Sequence, residues 1–163
     1  MLLPDNLSIL ATMNTSDQSL FPMDSAFKRR WEWEYIPINY TEEDTNASSK
    51  FYITLDDNKV IKWIKIIEKI NNIIKDNPSL GMDKCIGNYF VKPDKDIISL
   101  ETFIYKVIFY LWNDVFKDEP KNSIFKDNIT YQDFFPIKEN GKKLVISMFK
   151  DLNITETEKT ELE

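Results

Sequence analysis

The sequence predicts an α-rich α/β chain, and three patterns carry that prediction. A short apolar run at residues 7–13 is ended by polar residues, as a buried strand is. Trp31-Glu32-Trp33-Glu34-Tyr35 alternates aromatic and acidic residues, the period of two of a strand with one buried face. Beyond residue 57 the period changes to three and four, the spacing of amphipathic helices.

In chain order, Pro4 and Asp5 mark a turn, and Leu7-Ser8-Ile9-Leu10-Ala11-Thr12-Met13 follows as the first expected strand. The polar cluster 14–19 forms a loop at that strand's carboxyl end, and 24–30 is a plausible short helix. The alternating segment is the second strand, closed by Pro37. Residues 39–56 are polar and read as a connector. Val60, Trp63, Ile64, Ile67, Ile70 and Ile74 then form one stripe, predicting a helix over about 57–76 that Asn77-Pro78 ends. Ser99 is a good N-cap for a second helix to about residue 117, with Leu100, Phe103, Ile104, Val107, Ile108, Leu111 and Val115 as its stripe. A weaker helix is expected over 142–152, and 155–163 reads as a frayed acidic tail. The aromatic residues on these stripes, Trp63, Phe103, Tyr105, Phe109, Tyr110, Trp112 and Phe116, read as core. Two strands cannot bury both faces of a sheet, so the first unit is expected to depend on strands from elsewhere.

Composition narrows the function classes. With 163 residues, of which 42% are hydrophobic, the chain suffices for a real core. A net charge of −6 disfavours independent binding to a phosphate backbone, and Lys28-Arg29-Arg30 is the one dense basic cluster. A single cysteine, Cys85, excludes an internal disulfide and a thiolate zinc cluster, and there is no histidine to act as base or ligand. The densest apolar run, residues 107–112, is far shorter than the roughly 20 residues that span a bilayer. Residues 1–6 lack the features of a signal peptide, so no membrane association and a cytoplasmic location are expected.

Two clusters attract a functional reading. Asn14-Thr15-Ser16-Asp17 follows a buried strand, where α/β sheets place ligands, yet these are also ordinary turn residues. Lys28-Arg29-Arg30 suits a phosphate, yet it also suits the carboxyl end of a short helix, where the dipole favours cations.

The stretch 3–38 resembles McrB-type AAA+ proteins. Their pattern runs Pro-x-Asn, a hydrophobic strand, Gly-Thr-Met-Asn-Thr-Ala-Asp-Arg-Ser, then Asp-x-Ala-Leu-Arg-Arg-Arg-Phe. Here Pro4-Asp5-Asn6-Leu7 leads to Ala11-Thr12-Met13-Asn14-Thr15-Ser16-Asp17-Gln18-Ser19 and then Asp24-Ser25-Ala26-Phe27-Lys28-Arg29-Arg30-Trp31. Further on, Ile86-Gly87-Asn88-Tyr89-Phe90 resembles the family lid segment Ile-Gly-His-Ser-Tyr-Phe, one residue shorter and without its His.

That resemblance implies a partial AAA+ core over 1–38, the connector 39–56, a helical lid over 57–154 and the tail. It implies that Asn14 is the sensor residue that orients the attacking water, and that Thr15 and Asp17 lie beside the nucleotide. Arg29 or Arg30 is the implied arginine finger, reaching a neighbouring subunit's nucleotide. A guanine-reading role for Asp17 is the less favoured alternative to an Asp that pins the loop. Gln18 stands where the family has Arg, and Ala11 replaces Gly. No Gly-x-x-x-x-Gly-Lys-Ser/Thr loop occurs among the three glycines, nor an apolar strand ending in Asp-Glu. GTP or ATP with Mg2+ is therefore expected only in a complete module. The implied partners are a homo-oligomeric ring, a McrC-like nuclease and, through the complex, DNA. The implied role is the carboxyl-terminal part of a motor subunit in a modification-dependent DNA restriction system. Alternatives are a non-catalytic helical interaction module, a remnant of a truncated gene, or a fragment of another AAA+ branch of dynein-related or MoxR-like type.

Overall fold

The computed structural model describes residues 4, 6–13, 24–55, 59–119, 124–126, 129–155 and 157–158. The chain divides into two compact units, Met1–Ile36 and Pro37–Glu163.

In the first unit the described residues form one short helix, α1 (Ser25–Lys28). Asp24 caps it, its carboxylate accepting from the Phe27 N–H at 2.6 Å. The strands expected over 7–13 and 31–36 are not formed: neither stretch has a strand partner among the described residues. Their apolar side chains face solvent, Leu10 at 97% and Ile36 at 78% exposure. A strand exists only through pairing, and the described residues of this unit include no second strand to offer it. The aromatic residues turn to α1 instead. Trp31 stacks on Phe27, four residues back, with ring centroids 5.9 Å apart. Trp33 donates its indole N–H to the Lys28 carbonyl at 2.8 Å, using one of the orphan carbonyls that end the helix.

The second unit is a small sheet packed with helices. Strands β1 (Tyr52–Thr54), β2 (Lys59–Lys62), β3 (Ile97–Ile98) and β4 (Thr157–Glu158) lie in the order β3-β1-β2-β4. β1 pairs antiparallel with β2 and parallel with β3, while β4 is antiparallel to β2. Ile53 stands opposite both Ile61 and Ile98, so these three side chains share one face, and all are buried. Each contributes about 2 kcal/mol by leaving water. This sheet adds strands to a unit that the sequence patterns give as mostly helical. Residues 59–62, expected in the first turn of a helix, are strand β2, and Thr157–Glu158 of the expected frayed tail pairs with it.

The helices follow the predicted stripes. Helix α2 (Trp63–Asp76) buries Trp63, Ile64, Ile66, Ile67, Ile70, Asn71 and Ile74. Helix α3 runs without a break over 100–115 from the Ser99 cap, with wide π turns at Phe103–Ile108 and Leu111–Val115. Its Ile, Val and aromatic residues are mediocre helix formers, so burial of the stripe rather than propensity holds it. Helix α4 (Lys142–Asp151) continues a further wide turn, Ile137–Gly141, and packs Phe149 on Phe103 at 5.6 Å between ring centroids.

Gly141 lets these elements meet. A methyl there would stand 2.6 Å from the Phe134 carbonyl oxygen and 2.8 Å from Ile104 Cδ1. The Ile side chain can give way, whereas the carbonyl is held by its chain. Gly141→Ala is expected to lower stability by about 1–2 kcal/mol, overpacking outweighing the ~1 kcal/mol gain in helix propensity. A urea midpoint equal to that of the natural sequence contradicts this.

Candidate functional site

The arginines of the first unit follow directly from the end of α1. Arg29 is the C-cap, and its Nε donates to the Ser25 carbonyl at 3.2 Å. Arg30 closes the turn through its backbone, its N–H donating to the Phe27 carbonyl at 3.0 Å. Both arginines are exposed. The side chain of Arg30 has no hydrogen-bond or ion-pair partner among the described residues, so its planar fork is available to an anion. Asn14, Thr15 and Asp17 lie outside the described residues.

In the second unit the polar chemistry gathers around the segment that resembles the family lid motif. Asn71 sits on the buried face of α2. Its carboxamide accepts from the Ile86 N–H at 2.7 Å and donates to the Ile86 carbonyl at 2.8 Å, as a paired strand would. Its Nδ2 also donates to the Tyr40 hydroxyl at 2.9 Å. Asn88 repeats the device two residues later. It accepts from the Asn39 N–H at 2.8 Å and donates to the Asn39 carbonyl and to Ser48 Oγ. The Trp63 indole donates to the Asn88 carbonyl at 2.8 Å. The amide of Asn88 thus pairs backbone and a hydroxyl.

Sequence reading missed both amides as structural anchors. A signal for Asn71 was present: it falls four residues after Ile67 and three before Ile74, squarely on the apolar stripe. A polar residue on that stripe needs a buried partner.

Two other features complete the surface. Glu42, in the polar stretch that reads as a connector, bonds the Lys62 ammonium and lies 3.8 Å from Lys65. The bond to Lys62 holds its carboxyl below the ordinary range. Tyr105 and Phe109, expected in the core, are exposed instead, and they touch a run of further rings. Tyr105 meets Phe135, Phe135 meets Tyr131, and Tyr131 meets Phe109, with centroids 5.3–6.0 Å apart. Of the remaining stripe aromatics, Trp63, Phe103 and Phe116 are buried as expected.

Tyr110 gives an alkaline signature. It donates to the Lys84 carbonyl at 3.0 Å, and burial, with Asp114 and Asp83 adding to it, pushes its pKa up to about 12. An unfolded tyrosine ionises near 10. The folded state thus favours the protonated form. Its contribution is fully present below pH ~10 and is lost as pH rises from there to about 12. In a phenolate absorbance titration Tyr110 is expected to ionise at about pH 12, and Tyr110→Phe to remove that step. An unchanged curve contradicts the assignment.

Among the described residues, no group of three or more Cys, Asp or Glu side chains could hold a metal ion. None of the described helices is long and apolar enough to cross a membrane. Comparison with known proteins supplies one relative. The chain is similar to a restriction-enzyme component. It is 37% identical over 121 residues to the type II restriction enzyme BsuMI component YdiS of Bacillus subtilis (strain 168). The match covers 72% of this chain and 34% of YdiS, so the chain spans about a third of that protein's length. No family model and no solved structure matches the chain.

Proposed function

We propose that this chain is the carboxyl-terminal part of an AAA+ motor subunit in a DNA restriction system. The observation that carries the reading is the coincidence of two likenesses. Residues 3–38 follow the McrB-type pattern in order and spacing, and a relative matching most of the chain is a restriction-enzyme component. The exposed, unpaired apolar residues of 7–13 and 31–36 support it too, because they are what a partial sheet shows when its neighbouring strands belong to another stretch of polypeptide.

In this reading the nucleotide, GTP or ATP with Mg2+, is cradled by a phosphate-binding loop outside this sequence and supplies the phosphoanhydride bond to be broken. Asn14 orients the attacking water by its amide, and Thr15 and Asp17 line the same loop. Arg30 stabilises the charge that develops on the transferred phosphoryl oxygens of a neighbouring subunit. It is preferred to Arg29, whose Nε is engaged by the Ser25 carbonyl. A homo-oligomeric ring and a McrC-like nuclease are the partners, and DNA is reached through that assembly.

The exposed rings of Tyr105, Phe109 and Phe135, joined through the partly buried Tyr131, favour a second reading, a non-catalytic interaction module, since exposed aromatic clusters mark contact surfaces. Nucleotide turnover separates the two. The purified 163-residue chain is expected to hydrolyse neither GTP nor ATP above buffer background. Turnover by the isolated chain that Asn14→Ala abolishes overturns the proposal.

A further inference from the structure

We propose that residues 38–51 are a rigid part of the second unit, clamped there by Asn88 and α2. From its polarity this stretch read as a connector. The structure gives it an anchor at almost every second residue.

Ile38 and Tyr40 pack against the core. Asn39 is held at both backbone polar groups by the Asn88 amide. The Tyr40 hydroxyl receives a hydrogen bond from Asn71, and the Lys75 ammonium lies 5.4 Å from the centre of its ring. Glu42 reaches Lys62 and Lys65 at the other end of α2. The segment therefore grips the helix near both ends within three residues. Asn46, itself buried, donates to the carbonyls of Asn39 and Thr41 and accepts from the Ser48 backbone and hydroxyl. Ser48 in turn receives the second hydrogen bond of the Asn88 amide at 2.9 Å. Phe51 is buried, and its carbonyl accepts from the Trp63 N–H at 2.8 Å.

Immediately before Ile38 the character reverses. Tyr35 and Ile36 are 72% and 78% exposed, and no hydrogen bond holds either backbone among the described residues. Pro37 has no N–H to anchor. Rotation anywhere in 39–48 breaks the amide clamp and leaves buried polar groups unpaired. The inference concerns the second unit alone and stands whatever that unit's function.

Hydrogen exchange of the full chain, resolved to single amides, tests it. The amides of Asn39, Thr41, Asn46 and Ser49 are expected to exchange on the order of 100-fold more slowly than those of Tyr35 and Ile36. Asn88→Ala is expected to erase most of that protection at Asn39 while Ile70 and Ile74 of α2 stay protected. Should that variant unfold, seen as lost protection in α2, Asn88→Asp decides. It keeps the acceptor for the Asn39 N–H but loses both donors, and is expected to give intermediate protection. Exchange in the natural sequence as fast at Asn39–Asn46 as at Tyr35–Ile36 overturns the proposal, as does unchanged protection in a folded Asn88 variant.

Discussion

Asn71→Leu is expected to destabilise the chain by about 3–5 kcal/mol, although it places a larger apolar side chain on an apolar face. The amide of Asn71 satisfies both backbone polar groups of Ile86 in a fully buried setting. Leucine leaves that N–H and C=O without partners, each costing about 1–3 kcal/mol, and removes a hydrogen bond to Tyr40. The gain from added apolar burial, about 1–2 kcal/mol, does not offset two orphaned groups. The segment 86–88 should loosen first, taking the Asn88 clamp with it. Urea denaturation measures the loss; a variant within 1 kcal/mol of the natural sequence would show that Ile86 finds other partners.

The largest effect on activity is expected at Arg30. In a complete, assembled motor, Arg30→Ala should reduce nucleotide turnover by on the order of 10³-fold or more, the usual weight of an arginine finger. Arg30→Lys should recover little, because an ammonium cannot make the paired, planar contact of a guanidinium. Arg29→Ala should cost less, since its Nε already serves the α1 carbonyl of Ser25. Nucleotide binding should fall much less than turnover, because the finger acts across a subunit boundary. Equal losses at the two arginines, or full rescue by Lys, would remove Arg30 from the role.

How much of this was legible in the sequence depends on the range of the interactions involved. Helices α2, α3 and α4 announce themselves because their buried stripes repeat every three or four residues and are read locally. The sheet does not. β1, β3 and β4 are three, two and two residues long, too short for a period of two to stand out. Their pairing joins residues such as Ile53 and Ile98, distant in the chain. The strands expected over 7–13 and 31–36 had the right pattern and no partner among the described residues, so the pattern alone did not produce them. Polarity misled over 39–56: Asn39, Asn46 and Ser48 look like a solvated linker, yet they are hydrogen-bonded into the second unit. For the candidate site, the basic cluster was visible as residue types. The geometric distinction between Arg29 and Arg30 comes from the cap of α1.

Nucleotide turnover by a ring-forming relative, measured before and after adding this chain, tests the central claim most directly. The account predicts that the chain enters the assembly and changes the rate of GTP or ATP hydrolysis, and that Arg30→Ala abolishes the change while leaving the chain folded. A rate untouched by the natural chain at saturating concentration, with the chain folded and the ring active, would contradict it.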